Sequence, residues 1–136
     1  MSAVESVVVN VDGGSRGNPG PAAIAAVAHD GTGEVLAERS ETIGPQTNNV
    51  AEYRAMLLGI ELARELGASE LELIGDSELI VRQVRGEYKV KQDHLRPLHT
   101  KVRDELRGFE RWSVRNVPRA ENARADELVN EALDAA

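Results

Sequence analysis

The sequence predicts an α/β domain in which a five-stranded mixed sheet is flanked by helices. Three apolar segments joined by short turns come first, and strands then alternate with amphipathic helices, in the order β-β-β-α-β-α-α-β-α. A length of 136 residues and a hydrophobic content of 41% suit one domain with a single core, spanning 1–136. Hairpin-linked strands pair antiparallel and helix-linked strands pair parallel, so we expect a mixed sheet.

The strand predictions rest on apolar runs that are bounded by turn residues. The turn "HDGTGE" carries an Asp-Gly hairpin signal and separates the second strand from the third. The predicted strands are Ser6–Asp12, Ala22–His29, Glu34–Ile43, Leu71–Ile74 and Arg111–Val117.

Apolar residues at three- and four-residue spacing predict the helices, and glycines mark two of their ends. Gly67 follows the first helix, and Gly108 follows the third. The predicted helices are Asn49–Leu66, Ser77–Arg85, Asp93–Arg107 and Ala123–Asp134.

Composition excludes several classes of function. The absence of cysteine excludes disulfides, thiolate metal sites and a cysteine nucleophile. No segment reaches membrane-spanning length and no signal-peptide pattern opens the chain, so we expect a soluble, cytoplasmic protein with no membrane partner. The net charge of −7, taken alone, disfavours nucleic-acid binding. Arginine greatly outnumbers lysine, which a high-salt cytoplasm and GC-rich coding explain equally well.

Two aspartates stand at the ends of predicted strands. Asp12 ends the first strand, and Asp76 ends the strand in "LELIGD". In an open α/β sheet the carboxyl ends of the strands face the ligand crevice. The two aspartates therefore share that edge if their strands are parallel neighbours.

Two further acids lie in the first turns of helices and on their inward faces. Asp126 shares a helix face with Val129 and Leu133. Steps of three and four from Glu52 reach small or apolar residues: Met56, Gly59, Ala63 and Leu66. Each acid has a simpler explanation when taken singly. Asn49-x-x-Glu52 resembles a capping box, first-turn acids suit the helix dipole, and Asp12 could begin a turn.

The four acids together point to a metal site. Convergent carboxylates repel one another and raise one another's pKa, which divalent cations relieve. A set of oxygen ligands suits Mg²⁺ or Mn²⁺. The loop "DGGSRGNPG" after Asp12 is neither a P-loop nor a dinucleotide fingerprint. Its glycines would let a bulky ligand, such as a sugar-phosphate chain, approach the backbone.

At this point the sequence resembles the type 1 ribonucleases H. The resemblance rests on "DGGSRGNPG", "TNNVAE", "GDS" and "ENARADELV", which follow in order over nearly the whole chain and supply one acid each. It implies a ribonuclease H-like fold and endonucleolytic hydrolysis of the RNA strand of RNA–DNA hybrids by two metal ions. Asp12 would bridge both ions. Asp126 would complete the ligands of the ion that activates water, and Glu52 and Asp76 would hold the ion that stabilises the leaving oxygen.

The resemblance also implies residues that contact the hybrid. Thr47 resembles part of a pocket for a DNA-strand phosphate. The backbone of Gly13, Gly14, Ser15 and Arg16 would meet the 2′-hydroxyls that separate RNA from DNA. Asn18, Asn48 and Asn49 resemble minor-groove readers, and Asn122 joins the substrate-binding set. Helix capping is the alternative role for Asn48 or Asn49.

The sequence departs from the family pattern in two places. Many members have a histidine in the loop before the last acid, whereas "VPRAEN" has none. Arg119 is the nearest candidate to replace this histidine. The alternative is that Arg119 is merely a solvated loop residue. Where several family members have a basic, Trp-containing protrusion, this sequence has only the short segment "RGEYKVKQDHLRP". The basic residues of this segment include Lys89, Lys91 and Arg96, and it also contains Tyr88. We expect Trp112 to lie in the core, and His29, His94 and His99 to be incidental surface or packing residues.

Three function hypotheses follow. The first is a hybrid endonuclease, acting as a monomer on an RNA–DNA duplex. The second keeps the fold and metals but changes the reaction: the substrate is double-stranded RNA or an RNA–DNA junction, or cleavage proceeds from an end of the strand. The third is a hybrid-binding module without catalysis, which four mutually repelling carboxylates disfavour.

Overall fold

The computed structural model describes residues 5–136 and has the predicted order of elements. Residues 1–4 of the predicted domain lie outside the described residues. The strands are β1 (Ser6–Ser15), β2 (Gly20–His29), β3 (Val35–Gln46), β4 (Glu70–Gly75) and β5 (Arg111–Asn116). The helices are α1 (Asn48–Glu65), α2 (Glu78–Val84), α3 (Arg96–Leu106) and α4 (Ala123–Ala135), with 3-10 turns at Asp93–Leu95 and Arg119–Asn122.

The five strands form one mixed sheet, as predicted, and their order across it is β3-β2-β1-β4-β5. β1 pairs antiparallel with β2 and parallel with β4. β2 pairs antiparallel with β3, and β4 pairs parallel with β5. The parallel pairs bring the ends of β1 and β4 to the same edge of the sheet.

The two faces of the sheet carry different helices. Alternate residues of β1, Val7, Val9 and Val11, are buried in the main core with residues from α1, α2 and α3. α4 covers the opposite face, where its Val129 and Leu133 pack in a small separate cluster with alanines of β2. No helix in residues 5–136 is long and apolar enough to cross a bilayer.

Several predicted boundaries were wrong. β1 continues three residues beyond Asp12 to Ser15, because β2 goes on pairing with the glycine-rich segment. The predicted helix Asp93–Arg107 starts as a 3-10 turn, and α3 begins only at Arg96. Pro97 lies in the first turn of α3, a position where its missing N–H costs nothing.

Two expectations about single aromatic residues need correction. Trp112 is half-buried on the edge strand β5 and packs against the border of the core rather than inside it. His29 and His99 are not incidental, since each is hydrogen-bonded through Nε2: His29 to Asn10 Oδ1 and His99 to the Gln83 carbonyl, both at 2.8 Å. His94 is exposed, as expected.

Candidate active site

The sheet register places Asp12 beside Asp76. The last parallel pair between β1 and β4 joins Asn10 to Ile74, and each aspartate lies two residues beyond it. Asp12 still pairs with Ala25 of β2 but has no partner on its β4 side. β4 therefore ends just early enough to leave an opening in the sheet, and both carboxylates stand at it.

A close approach of α1 to β1 brings Glu52 to the same opening. A Cβ at Gly13 would lie 2.2 Å from the Ala51 carbonyl oxygen and 2.8 Å from the Glu52 backbone nitrogen, so only glycine fits. The glycine at this position therefore admits the backbone of α1, a reason for glycine that the sequence analysis did not anticipate. Met56 is buried one turn further on, as the predicted inward face of α1 requires.

α4 and the 3-10 turn before it supply the fourth acid and a cation. Arg119 Nη2 donates to Asp126 Oδ1 at 2.8 Å. The Asp126 side chain is 26% exposed, whereas that of Arg119 is 74% exposed. Arg119 is therefore largely solvent-exposed, and its ion pair with Asp126 holds the guanidinium beside the acids.

All four predicted acids line one open cleft of about 330 Å³. The predicted residues Gly13, Gly14, Ser15, Arg16, Asn48 and Arg119 line it too. Behind the acids, the floor next to Asp12 and Glu52 is formed partly by apolar side chains: Met56, Ile80 and Val81.

Burial and the repulsion of neighbouring charges raise the pKa of three of these carboxyls, those of Asp12, Glu52 and Asp76. Burial raises the pKa of Asp12 to about 8, and the charges of Asp76, Asp126 and Glu52 add to the effect while Arg119 opposes it. Burial likewise raises the pKa of Glu52 to about 7, against a hydrogen bond from Ser77. Burial is also the main cause that raises the pKa of Asp76. The cleft therefore favours protonated carboxyls unless a cation enters.

The donor set fits divalent cations. Asp12, Glu52, Asp76 and Asp126 offer only oxygen, which hard cations prefer, and a bound cation would relieve the repulsion that contributes to the raised pKa of Asp12. No three acids or histidines within residues 5–136 are grouped tightly enough to hold an ion unaided. Mg²⁺ commonly keeps waters and takes substrate phosphate oxygens as further ligands, so an open set of carboxylates suits it.

We expect the metal-free protein to lose stability as the pH rises from about 4 to about 8. Asp12 and Glu52 have raised pKa values in the fold, so the folded protein keeps protons that the unfolded chain has released. Their contribution is fully present below the ordinary carboxyl pKa values of 3.8 and 4.5, and it is lost progressively until the pH reaches the folded values of about 7 to 8. Thermal melts in chelator test this, and added Mg²⁺ should restore the midpoint at the alkaline end. A midpoint unaffected by both pH and Mg²⁺ contradicts the expectation.

The predicted groove residues form a connected set at the start of α1. Asn48 Oδ1 accepts from the Ser15 backbone N–H at 2.9 Å, and the Asn48 N–H donates to Asn18 Oδ1 at 3.1 Å. Neither Asn48 nor Asn49 caps α1, which corrects that alternative, because the Thr47 hydroxyl accepts from the Val50 N–H and is the cap. The glycine-rich segment and α1 are thereby tied together beside the acids.

Three predicted substrate residues lie apart from this set. Arg16 forms an ion pair with Asp134 of α4 at 2.7 Å. Asn49 lines a neighbouring groove of about 470 Å³, together with Lys89 and other residues of the short basic segment. Asn122 is only 1% exposed, so its assignment as a substrate-binding residue was wrong.

Sequence reasoning missed two residues of the site. Ser77 hydrogen-bonds Glu52 and also caps α2, where its hydroxyl accepts from the Ile80 N–H. Asn130 lines the cleft one turn after Asp126 and donates through Nδ2 to the Asp126 carbonyl. The position of Ser77 directly after Asp76 in "GDS" was the available signal.

A mixed five-stranded sheet with four carboxylates at one opening defines a protein of the ribonuclease H-like class. Residues 10–132 match the family model described as reverse transcriptase-like. A ribonuclease HI from Halobacterium salinarum is 48% identical over 90% of this chain. The chain spans 62% of that relative and 36% of a bifunctional protein from Mycobacterium tuberculosis that is 47% identical over 96% of the chain.

Solved structures agree with the sequence relatives. The crystal structure of RNase H1 from the halophilic archaeon Halobacterium salinarum superposes with a TM-score of 0.94 at 46% identity, covering 96% of this chain and 99% of that one. LC11-RNase H1, crystallised in complex with an RNA/DNA hybrid, gives a TM-score of 0.90 at 44% identity over 95% and 97% of the two chains. The chain belongs to the type 1 ribonuclease H family.

Proposed function

We propose that this chain is an endonuclease that hydrolyses the RNA strand of RNA–DNA hybrids with divalent metal ions. The gathering of four carboxylates at one opening, with the pKa of Asp12 raised to about 8, carries the proposal. The hybrid seen with LC11-RNase H1, a protein of the same family and fold, supports this substrate class.

The protein's own residues hold and orient the reactants. Asp12, Glu52, Asp76 and Asp126 would hold two cations, Mg²⁺ or Mn²⁺, which when bound would supply an activated water and stabilise the leaving oxygen. Asp12 pairs with β2 and has no partner on its β4 side, and it would be the ligand that the two ions have in common.

The groove beside the acids provides the substrate contacts. The Ser15 backbone and the Asn48 amide stand next to the acids, where a 2′-hydroxyl would identify the RNA strand. Thr47, Asn18 and Asn49 extend this contact line towards the basic segment around Lys89. These contacts are mostly uncharged, which is consistent with a hybrid-binding protein whose net charge is −7.

A cleavage assay with matched duplexes tests the proposal. End-labelled RNA–DNA hybrid, double-stranded RNA, double-stranded DNA and an RNA–DNA junction of one sequence are compared with Mg²⁺, with Mn²⁺ and with excess chelator. We expect internal cuts in the RNA strand of the hybrid, and none in chelator. Preferential cleavage of double-stranded RNA or of the junction supports the second hypothesis, and binding without cleavage supports the third.

We expect Arg119→Ala to lower turnover more than hybrid binding. A charge-assisted hydrogen bond is worth about 1.5–3 kcal/mol, which corresponds to roughly tenfold to a hundredfold in rate. The guanidinium lies on Asp126 at 2.8 Å and would contact the cleaved phosphate. Single-turnover and steady-state rates separate the chemical step from product release. Equal rates for wild type and variant in both regimes contradict a role for Arg119.

The monomeric state and the cytoplasmic location stay predictions. Sedimentation of the purified chain and imaging of a tagged copy test them directly.

A further inference from the structure

The most deeply buried polar side chain of the active-site region is that of Asn122. It is 1% exposed, and only Gln83 is a comparably buried polar residue within 5–136. Both ends of its amide are used: Nδ2 donates to the Val11 carbonyl at 2.8 Å, and Oδ1 accepts from Asn10 Nδ2 at 3.0 Å. Both partners belong to β1, so this strand holds Asn122 at two points.

A third side chain fixes the direction of these bonds. His29 Nε2 lies 2.8 Å from Asn10 Oδ1. Because Asn10 donates through Nδ2 to Asn122, its Oδ1 must accept, and His29 carries a hydrogen on Nε2. The bonds therefore run in one direction, from His29 through Asn10 and Asn122 to the Val11 carbonyl. An amide flip at either asparagine would break them.

The place of Asn122 in the chain gives this network a functional meaning. It lies three residues after Arg119 and four before Asp126, while Val11 is the neighbour of Asp12. α4 has no side-chain cap at its start. Within the described residues, the side-chain hydrogen bonds from the 3-10 turn to β1 are those of Asn122.

We infer that Asn122 is a positioning residue, which fixes Arg119 and Asp126 relative to Asp12 through its bonds to β1. The inference rests on the proposed function for its consequence in catalysis. A misplacement of about 1 Å at a reacting centre can cost on the order of a hundredfold in rate. The Ser15–Asn48 contact lies on α1 and β1 instead, so binding of the hybrid should change little.

A double-mutant cycle tests the coupling. We expect Asn122→Ala to lower kcat by roughly tenfold to a hundredfold with KM nearly unchanged. We expect Arg119→Ala to lose most of its effect in the Asn122→Ala background, because the guanidinium is already misplaced. Fully multiplicative effects would mean that the two residues act independently, and would overturn the inference.

Gln83→Ala is the matched control. Gln83 is also a buried amide, but it accepts from the Tyr53 hydroxyl within the core under α1 and α2. The Gln83→Ala substitution should destabilise the fold, and Arg119→Ala should still have its full effect on kcat in that background. A loss of that effect in the Gln83→Ala background would show that general destabilisation explains the result.

Hydrogen exchange gives a measurement that does not depend on cleavage. In the metal-free protein, amides of residues 119–126 should exchange faster in Asn122→Ala than in wild type and should be unchanged in Gln83→Ala. If Asn122→Ala does not fold, Asn10→Ala removes one of the two bonds and should shift exchange in the same direction by less. Unchanged exchange in the folded variant overturns the inference. Failure of wild type to cleave hybrid overturns the proposed function instead.

Discussion

Asp12→Asn should abolish cleavage of the hybrid while leaving the protein folded. Asp12 is the carboxylate whose pKa all three other acids raise, so it lies at the centre of the cluster. Metal-ion catalysis is worth several kcal/mol of transition-state stabilisation, and about 4 kcal/mol corresponds to about a thousandfold in rate. A neutral amide in place of the shared ligand should forfeit at least that much. The measurement is the single-turnover rate at saturating Mg²⁺.

Stability provides the control for this variant. At about pH 8 and above in chelator, the wild-type fold carries the cost of ionising the buried Asp12 carboxyl, whereas the neutral amide of the variant has no proton to lose. The thermal midpoint of Asp12→Asn should therefore exceed that of wild type under these conditions and vary less with pH. A variant that is folded, more stable and still active at the wild-type rate would remove Asp12 from the catalytic machinery.

Gly13→Ala should damage both the stability of the fold and the metal site. The added Cβ would meet the backbone of α1 at Ala51 and Glu52 at distances of 2.2 to 2.8 Å, which backbone atoms cannot relieve by a rotamer change. Overpacking usually costs about 1–3 kcal/mol, and a contact with rigid backbone belongs at or above that upper value. α1 must move away from β1 and carry Glu52 with it. Urea unfolding and Mg²⁺ titration measure the two effects.

Gly14→Ala is the matched control, since the neighbouring glycine faces the other side of the sheet. Its added Cβ would have Val129 Cγ1 as its nearest neighbour, at 3.9 Å, which is an ordinary contact. We expect little loss of stability from it. Equal unfolding free energies for the two variants would show that the approach of α1 at Gly13 is not a tight constraint.

The sequence was sufficient to predict the sheet, the helices and the four acids. Strand and helix types follow from local apolar spacing. Asp12 and Asp76 were recognisable only together with Glu52 and Asp126, because each acid taken singly could serve a turn or a helix cap. The features that the sequence did not predict depend on the tertiary packing of the elements. The extension of β1 to Ser15 depends on pairing with β2, and the buried position of Asn122 depends on contacts with a strand more than a hundred residues earlier.

The helix cap illustrates the same limit. "TNNVAE" offers three residues that could cap α1, and local preference ranks asparagine at least as high as threonine. Thr47 caps, because Asn48 is held instead by the Ser15 backbone. Neighbours that are distant in sequence decide between local candidates of nearly equal propensity.

The separate packing of α4 suggests a use for this fold as a reporter. α4 contributes the fourth acid but contacts the sheet through a small apolar cluster of Val129 and Leu133 with Ala23 and Ala25. A protein divided between β5 and α4 would leave three acids on one fragment and one on the other, so that neither fragment has a complete ligand set. Fused to two proteins that bind each other, the fragments would report that association as cleavage of a fluorogenic hybrid.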